Sequence, residues 1–236
     1  FNQSCPIVEA YDPGTDTWTR KADMPVPRRG LKAEVVDGIV YVFGGVYVSK
    51  NEGGGWNWDY EYGSVVLAYD PVTDTWTRKA DMPTKHCWFG SCVLNGEIYA
   101  LAGYQWSGGN REILADVYNP VTDTWRSIFH PRTQEFANIS GFGAAVIEDK
   151  IYMLGGNSNS DRMHIYDTVS NTLVEGHMGP RAWFGAAALN GKIYAIGGGA
   201  GGGRLLTRTD VYNPFAAPPA QQIRDVDAKG KQPSIW

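Results

Sequence analysis

Arg28, His86 and Arg181 are the side chains best suited to hold a polar group, and they stand at matching points of a recurring pattern, with Ile139 at the fourth such point. Two residues further on come Gly30, Trp88, Gly141 and Trp183, followed by Leu31, Phe89, Phe142 and Phe184. A guanidinium is a rigid fork of donors that fits a carboxylate or phosphate. An indole offers a flat apolar surface with one donor. Together they could recognise a ligand; equally, the cations could bond loop carbonyls and the rings pack between elements. A second aromatic set fills the longest insertion, residues 46–64: Tyr47, Trp56, Trp58, Tyr60 and Tyr62, beside Gly53, Gly54 and Gly55. The alternation from Trp56 to Tyr62 predicts an extended ribbon with its rings on one side. Such a ribbon suits a sugar face or a protein partner if exposed, or lines the chain's own core if it folds down. Tyr104 and Trp106 hold the corresponding place one repeat later and extend the set.

Other chemistry is thinner. Lys32 and Glu34, spaced by two on a strand, share a side; a buried carboxylate there could act as an acid or base, or form a plain salt bridge. The glycine run 197–203 lacks the Lys-Ser/Thr and the helix of a phosphate loop. Cys87 and Cys92 fall on one expected strand, about 16 Å apart if extended, and cannot pair; free, partly buried thiols are expected of them and of Cys5. No nucleophile elbow and no histidine cluster is present, so no catalytic residue, metal or cofactor is assigned.

These residues are positioned by a repeat. Thr15–Pro25 reads TDTWTRKADMP and returns letter for letter at Thr73–Pro83, with weaker copies at 122–125, 170–173 and 177–180. Around it recur short apolar runs ending in glycine, 38–45, 96–103, 150–156 and 192–198. Three of the four are preceded by Asp-Gly or Asn-Gly, a two-residue hairpin signal; the other has Glu148-Asp149. Small and branched residues upstream form a first strand. A third strand ends in Tyr11, Tyr69, Tyr118, Tyr166 or Tyr212, and a fourth carries Trp18, Trp76, Trp125 or, in one copy, Leu173. Each unit is thus a four-stranded antiparallel meander, which must stack on neighbours to bury both faces, the expected packing of a β-propeller.

Paired glycines, then tyrosine and tryptophan at these offsets, resemble the kelch repeat, over roughly residues 7–214. The resemblance implies an all-β, kelch-type β-propeller of four-stranded antiparallel blades: three complete units with incomplete first and last ones, about four to five sheets. Residues 1–214 form the propeller and 215–236 a C-terminal tail or linker, in which 223–227 faintly echo a further hairpin. The loops before each first strand should share a face with those between second and third strands, and there a ligand site is expected, a basic and aromatic funnel at the channel mouth. Glu112 and Asp116 stand at a spacing seen in iron-dependent kelch proteins of plants, but Pro120 fills the third ligand's place, so the metal is discarded.

The expected function is non-enzymatic recognition of a protein or glycan through that loop face, with Arg28, His86 and Arg181 as polar anchors and Trp56, Trp58, Tyr60, Trp88, Tyr104, Trp106 and Trp183 as flat contacts. One alternative is a sugar mutarotase using His86, Glu34 and Arg181; another is a purely structural segment of a larger surface protein. A net charge of -4 argues against nucleic acid, and no apolar run reaches the ~18 residues of a membrane span. A secreted or cell-surface place is preferred to the cytoplasm; oligomeric state is left open.

Overall fold

The structure, a computed structural model, describes residues 4–59, 61–102, 104–105, 113–130, 139–156, 161–200, 204–216 and 224–226. Two compact units divide the chain, Phe1–Asn138 and Ile139–Trp236. Unit 1 opens with a hairpin, β1 (Glu9–Asp12) and β2 (Thr17–Arg20), followed by blade 1: β3 (Lys32–Val36), β4 (Ile39–Phe43), a side ribbon of β5 (Tyr47–Lys50) and β6 (Trp56–Asp59), then β7 (Val66–Asp70) and β8 (Thr75–Lys79). Blade 2 is preceded by β9 (His86–Cys87) and runs β10 (Gly90–Leu94), β11 (Glu97–Leu101), β12 (Tyr104–Gln105), β13 (Ile113–Asn119) and β14 (Thr124–Phe129).

Unit 2 holds blade 3, β15 (Gly143–Ile147), β16 (Lys150–Leu154), β17 (Arg162–Asp167) and β18 (Thr172–His177), and blade 4. Blade 4 runs β19 (Gly185–Leu189), β20 (Lys192–Ile196), the short ribbon β21 (Gly199–Ala200) and β22 (Arg204–Leu205), β23 (Thr209–Tyr212) and β24 (Arg224–Val226). Each blade pairs its four main strands in sequence order, as a meander of short loops requires. The last unit is therefore a full four-stranded sheet, because Arg224–Val226, placed in the tail from sequence, pairs with β23.

Turn chemistry sets the registers. Asp37-Gly38, Asn95-Gly96 and Asn190-Gly191 carry positive φ at both positions, the geometry that matches strand twist. At Glu148-Asp149 only Glu148 does, and the Asp149 carbonyl instead accepts the Thr168 amide at 3.0 Å and hydroxyl at 2.9 Å.

The repeated TDTW segment joins neighbouring sheets. Trp76 donates its indole N–H to the Ala22 carbonyl at 3.0 Å, while Asp74 accepts the Ala22 amide at 2.8 Å and the Tyr69 hydroxyl at 2.6 Å. The next copy repeats this: Trp125 to Ala80 O at 2.9 Å, and Ala80 N and Tyr118 Oη to Asp123 at 2.9 and 2.6 Å. The Ala22 amide holds the Asp74 carboxyl below its usual range, and the Tyr118 hydroxyl does the same at Asp123. In the hairpin Tyr11 bonds Asp16 at 2.7 Å, but Trp18 is 68 % exposed. Tryptophans of the fourth strands were expected to lie between sheets, and Trp76 and Trp125 do so, whereas Trp18 does not. Leu173, standing in for tryptophan in blade 3, is buried.

Candidate functional site

In blades 1, 2 and 4 the loop before the first strand is zippered to that between second and third strands. Arg29 bridges Val46, β9 pairs with β12, and Ala182 bridges Gly199. Both loop classes thus lie on one face of each of these three blades. Neighbouring loops are tied as well: Gly45 N–H donates to His86 O, Trp88 N–H to Gly30 O, and Trp183 N–H to Gly141 O. Trp88 and Trp183 adopt positive φ, unusual for a bulky residue, which lays each indole over the glycine of the preceding blade. A Cβ on Gly30 or Gly141 would sit 2.7 Å from the Trp88 or Trp183 ring, respectively. The alternation of glycine and tryptophan read from the sequence is therefore a packing device, although Trp183 stays 58 % exposed.

The expected basic funnel is not formed by Arg28, His86 and Arg181. Their exposures are 4, 1 and 0 %, and each is fixed inside its own blade. Arg28 donates through Nη1 to Gly44 O at 2.8 Å and Val65 O at 2.7 Å, and burial draws its pKa down to about 10. His86 Nε2 lies 3.2 Å from Asp116, whose other oxygen accepts the Ser127 hydroxyl at 2.5 Å. Burial pushes the Asp116 carboxyl up, but hydrogen bonds from His86 and Ser127 outweigh it and leave it below its ordinary value. Arg181 donates to Ala195 O at 2.6 Å and forms an ion pair with Asp210, which Arg208 also approaches at 3.3 Å. Polar and charged side chains taken from water are retained when such partners replace the water.

Sequence reading weighed Asp116 only as a metal ligand and missed both it and Asp210 as partners of these side chains, yet a signal existed. Both stand two residues before the third-strand tyrosine, in the blades whose matching loop carries His86 or Arg181. Blade 1 has Leu67 there, and Arg28 turns to carbonyls instead; in blade 3 the two positions are Ile139 and His164.

What remains at the surface is aromatic. Trp58 on β6 is 37 % exposed and its ring lies 6.2 Å from that of half-buried Trp88. The Arg29 guanidinium sits 5.3 Å from the Trp58 ring centroid, within cation–π range. The β5–β6 ribbon pairs Val48 with Trp58 and Lys50 with Trp56, so the insertion is extended as expected only to Asp59; Glu61–Ser64 turns into a 3-10 helix that takes Tyr62 out of the ribbon. Trp56 and Tyr104 are described in backbone only, while Tyr60 and Trp106 lie outside the described residues. The arrangement presents two indoles and one half-buried guanidinium, a surface for flat apolar groups beside an acceptor. Arg29 was not singled out from sequence, because its neighbour Arg28 occupies the repeating position.

The other candidates resolve into structure. Glu34 accepts the Ser91 hydroxyl of blade 2 at 2.5 Å instead of pairing with Lys32, and burial raises its pKa. Cys87 and Cys92 are buried free thiols and Cys5 an exposed one; burial pushes the Cys87 pKa up to about 12. Among the described residues no group of His, Cys, Asp and Glu could hold a metal ion, and no helix is long and apolar enough to cross a membrane.

Comparison with known proteins places these features. A family model described as Kelch motif matches residues 1–25, 54–83, 89–128 and 180–214. "Kelch-like protein 36" of Mus musculus is 30 % identical over 193 residues, 77 % of this chain and 29 % of that protein. "Kelch-like ECH-associated protein 1B" of Danio rerio is 36 % identical over 103 residues, 44 % of this chain and 16 % of its own length. The match thus spans under a third of each of these relatives. Among solved structures, that of YjhT superimposes with a TM-score of 0.60 at 15 % identity, covering 89 % of this chain and 95 % of that one.

Proposed function

Because the chain belongs to the kelch-repeat family and folds as an all-β propeller of four-stranded antiparallel blades, we propose that it is a protein-binding module whose partner docks on the loop face of unit 1. The observation that carries this reading is the surface cluster of Trp58, Trp88 and Arg29. Tryptophan and arginine dominate protein interfaces because they bury large, rigid area while keeping a donor at the rim. Loops held by a stiff sheet are where a repeat fold places recognition. The Danio rerio relative is by its name ECH-associated, in line with a binding role. The mutarotase alternative draws no support from the geometry, since His86, Glu34 and Arg181 are each held by a partner within the packed blades.

The test is affinity capture from the native source with the wild type, Trp58→Ala and Val72→Ala. Val72 is 90 % exposed on the β7–β8 turn and serves as the control. A partner retained by Val72→Ala and lost by about 30-fold with Trp58→Ala, the effect of removing a hot-spot indole of about 2 kcal/mol, is expected. Equal capture by all three removes the cluster from the site. A glycan-array signal abolished by Trp58→Ala, with no protein captured, overturns the protein reading.

A further inference from the structure

The loop between second and third strands leaves each blade through a neck. In blades 2, 3 and 4 one backbone bond closes that neck: Ala102 N–H donates to Leu114 O at 3.1 Å, Gly155 N–H to Arg162 O at 2.9 Å and Gly197 N–H to Arg208 O at 3.1 Å. In each pair the donor directly follows the second strand, and the acceptor stands four residues before the third-strand tyrosine. The matching pair in blade 1 is Gly44 and Val65, and among the described residues no backbone bond joins them. Arg28 spans this neck instead, its Nη1 donating to Gly44 O at 2.8 Å and to Val65 O at 2.7 Å.

The difference has a local cause. In blades 2 and 4 the side chain at this loop position is held by an aspartate of the third strand, Asp116 or Asp210. Arg181 accordingly donates to Ala195 O, inside β20 and two residues short of the neck at Gly197. Blade 1 offers Leu67 in place of the acid, so the Arg28 guanidinium takes the two carbonyls just outside the ends of β4 and β7. The neck it spans is the root of the longest insertion, residues 46–64. The next residue carries the contact onward: Arg29 exchanges backbone bonds with Val46 at 3.0 and 2.9 Å, and its guanidinium lies over Trp58, whose ring meets that of Trp88. A binding constellation is only as well placed as the residues that support it.

We propose that Arg28 is the positioning residue of the loop-face cluster: by holding Gly44 and Val65 together it fixes the root of the β5–β6 ribbon and thereby sets Trp58 against Trp88 and Arg29. Arg28 is buried and acts only through the ribbon. Its meaning for recognition rests on the loop-face reading above, whereas the clamp itself can be measured without a partner.

Arg28→Met keeps the length of the side chain and removes its donors. Backbone hydrogen exchange followed by NMR is expected to quicken roughly 10- to 100-fold in β5 and β6, as loss of the two bonds from a charged donor implies, while β3, β4, β7 and β8 stay as in the wild type. The indole N–H signals of Trp58 and Trp88 should shift together. Arg28→Lys, whose ammonium can donate to both carbonyls, should return exchange rates and indole signals toward those of the wild type. Faster exchange throughout blade 1, a methionine variant that no longer folds, unmoved indole signals, or a lysine variant as loose as the methionine one would each overturn the proposal. In the capture experiment above, Arg28→Met should lose the partner as Trp58→Ala does. Loss with Trp58→Ala but retention with Arg28→Met sinks this inference and leaves the loop-face reading standing. Retention with Trp58→Ala sinks that reading instead, and the exchange pattern then decides the clamp alone.

Discussion

The duplicated TDTW segment offers an internal control for how neighbouring blades are held. Trp18 and Trp76 sit in identical eleven-residue segments, with Tyr–Trp ring centroids at 5.2 and 4.9 Å in the two copies. Only Trp76 reaches a neighbouring sheet, through its bond to Ala22 O. Trp76→Phe deletes that donor and strands a partly buried carbonyl, a loss of about 1 kcal/mol for a neutral hydrogen bond. Replacing a half-buried indole by a smaller ring removes roughly another 0.5–1 kcal/mol of apolar burial. The expected sum is about 1.5–2 kcal/mol, or roughly 3–8 °C in the melting temperature of a unit of this size. Trp18→Phe removes the same atoms from a largely exposed ring and should stay within about 0.5 kcal/mol. The assay is urea unfolding in dilute solution, read by tryptophan fluorescence and circular dichroism. An unchanged m-value with a lower midpoint for Trp76→Phe alone is expected. Equal losses at the two sites would refute the reasoning, since local hairpin packing and not the inter-blade bond would then carry the effect.

Other outcomes follow from the buried cations and the buried acid. Arg181→Leu should cost about 3–5 kcal/mol, because buried Asp210 loses its ion-pair partner, whereas Arg181→Leu with Asp210→Leu should recover most of the loss; thermal unfolding checks both. Glu34 carries a pKa raised above the ordinary 4.5 by burial, so the folded chain binds its proton more readily than the unfolded one. Wild-type stability should therefore fall, relative to Glu34→Gln, as pH rises from about 4 through the raised folded value, and stay level above it; parallel urea titrations of the two chains across that range would show the divergence or its absence.

The strands were legible because each carries its own local instruction. Asp37-Gly38 and Asn95-Gly96 specify hairpins by backbone sterics alone, and period-two patterning then decides which side chains enter the inter-sheet core. The placement of Arg28, His86 and Arg181 was not legible in this way. Their depth depends on Gly44, Val65, Asp116, Ala195 and Asp210, partners 14 to 37 residues away that only the folded sheet brings near. Strand β24 was likewise obscure, since Arg224–Val226 has no periodicity of its own and is a strand by virtue of the β23 edge it pairs with. Comparing the repeats with one another would have exposed the acid partners, because Asp116 and Asp210 occur in step with His86 and Arg181.

That correlation bears on how recognition can arise in an array of nearly identical sheets. At the matching loop position the four blades differ widely, yet the differences are absorbed internally: arginine with two carbonyls, histidine with an aspartate, isoleucine in the blade that carries His164, arginine with an aspartate. Variation between repeats is then no sign of a binding site when the varied atoms are buried. The informative asymmetry is in length. The β5–β6 ribbon is the longest insertion, and it carries Trp58 out of the repeat to meet Trp88, whose own position is fixed by the unvarying glycine contact at Gly30. A surface distinctive of this chain thus arises where one irregular loop reaches a regular one, which is why the candidate site falls on unit 1, next to the blades that are otherwise most alike.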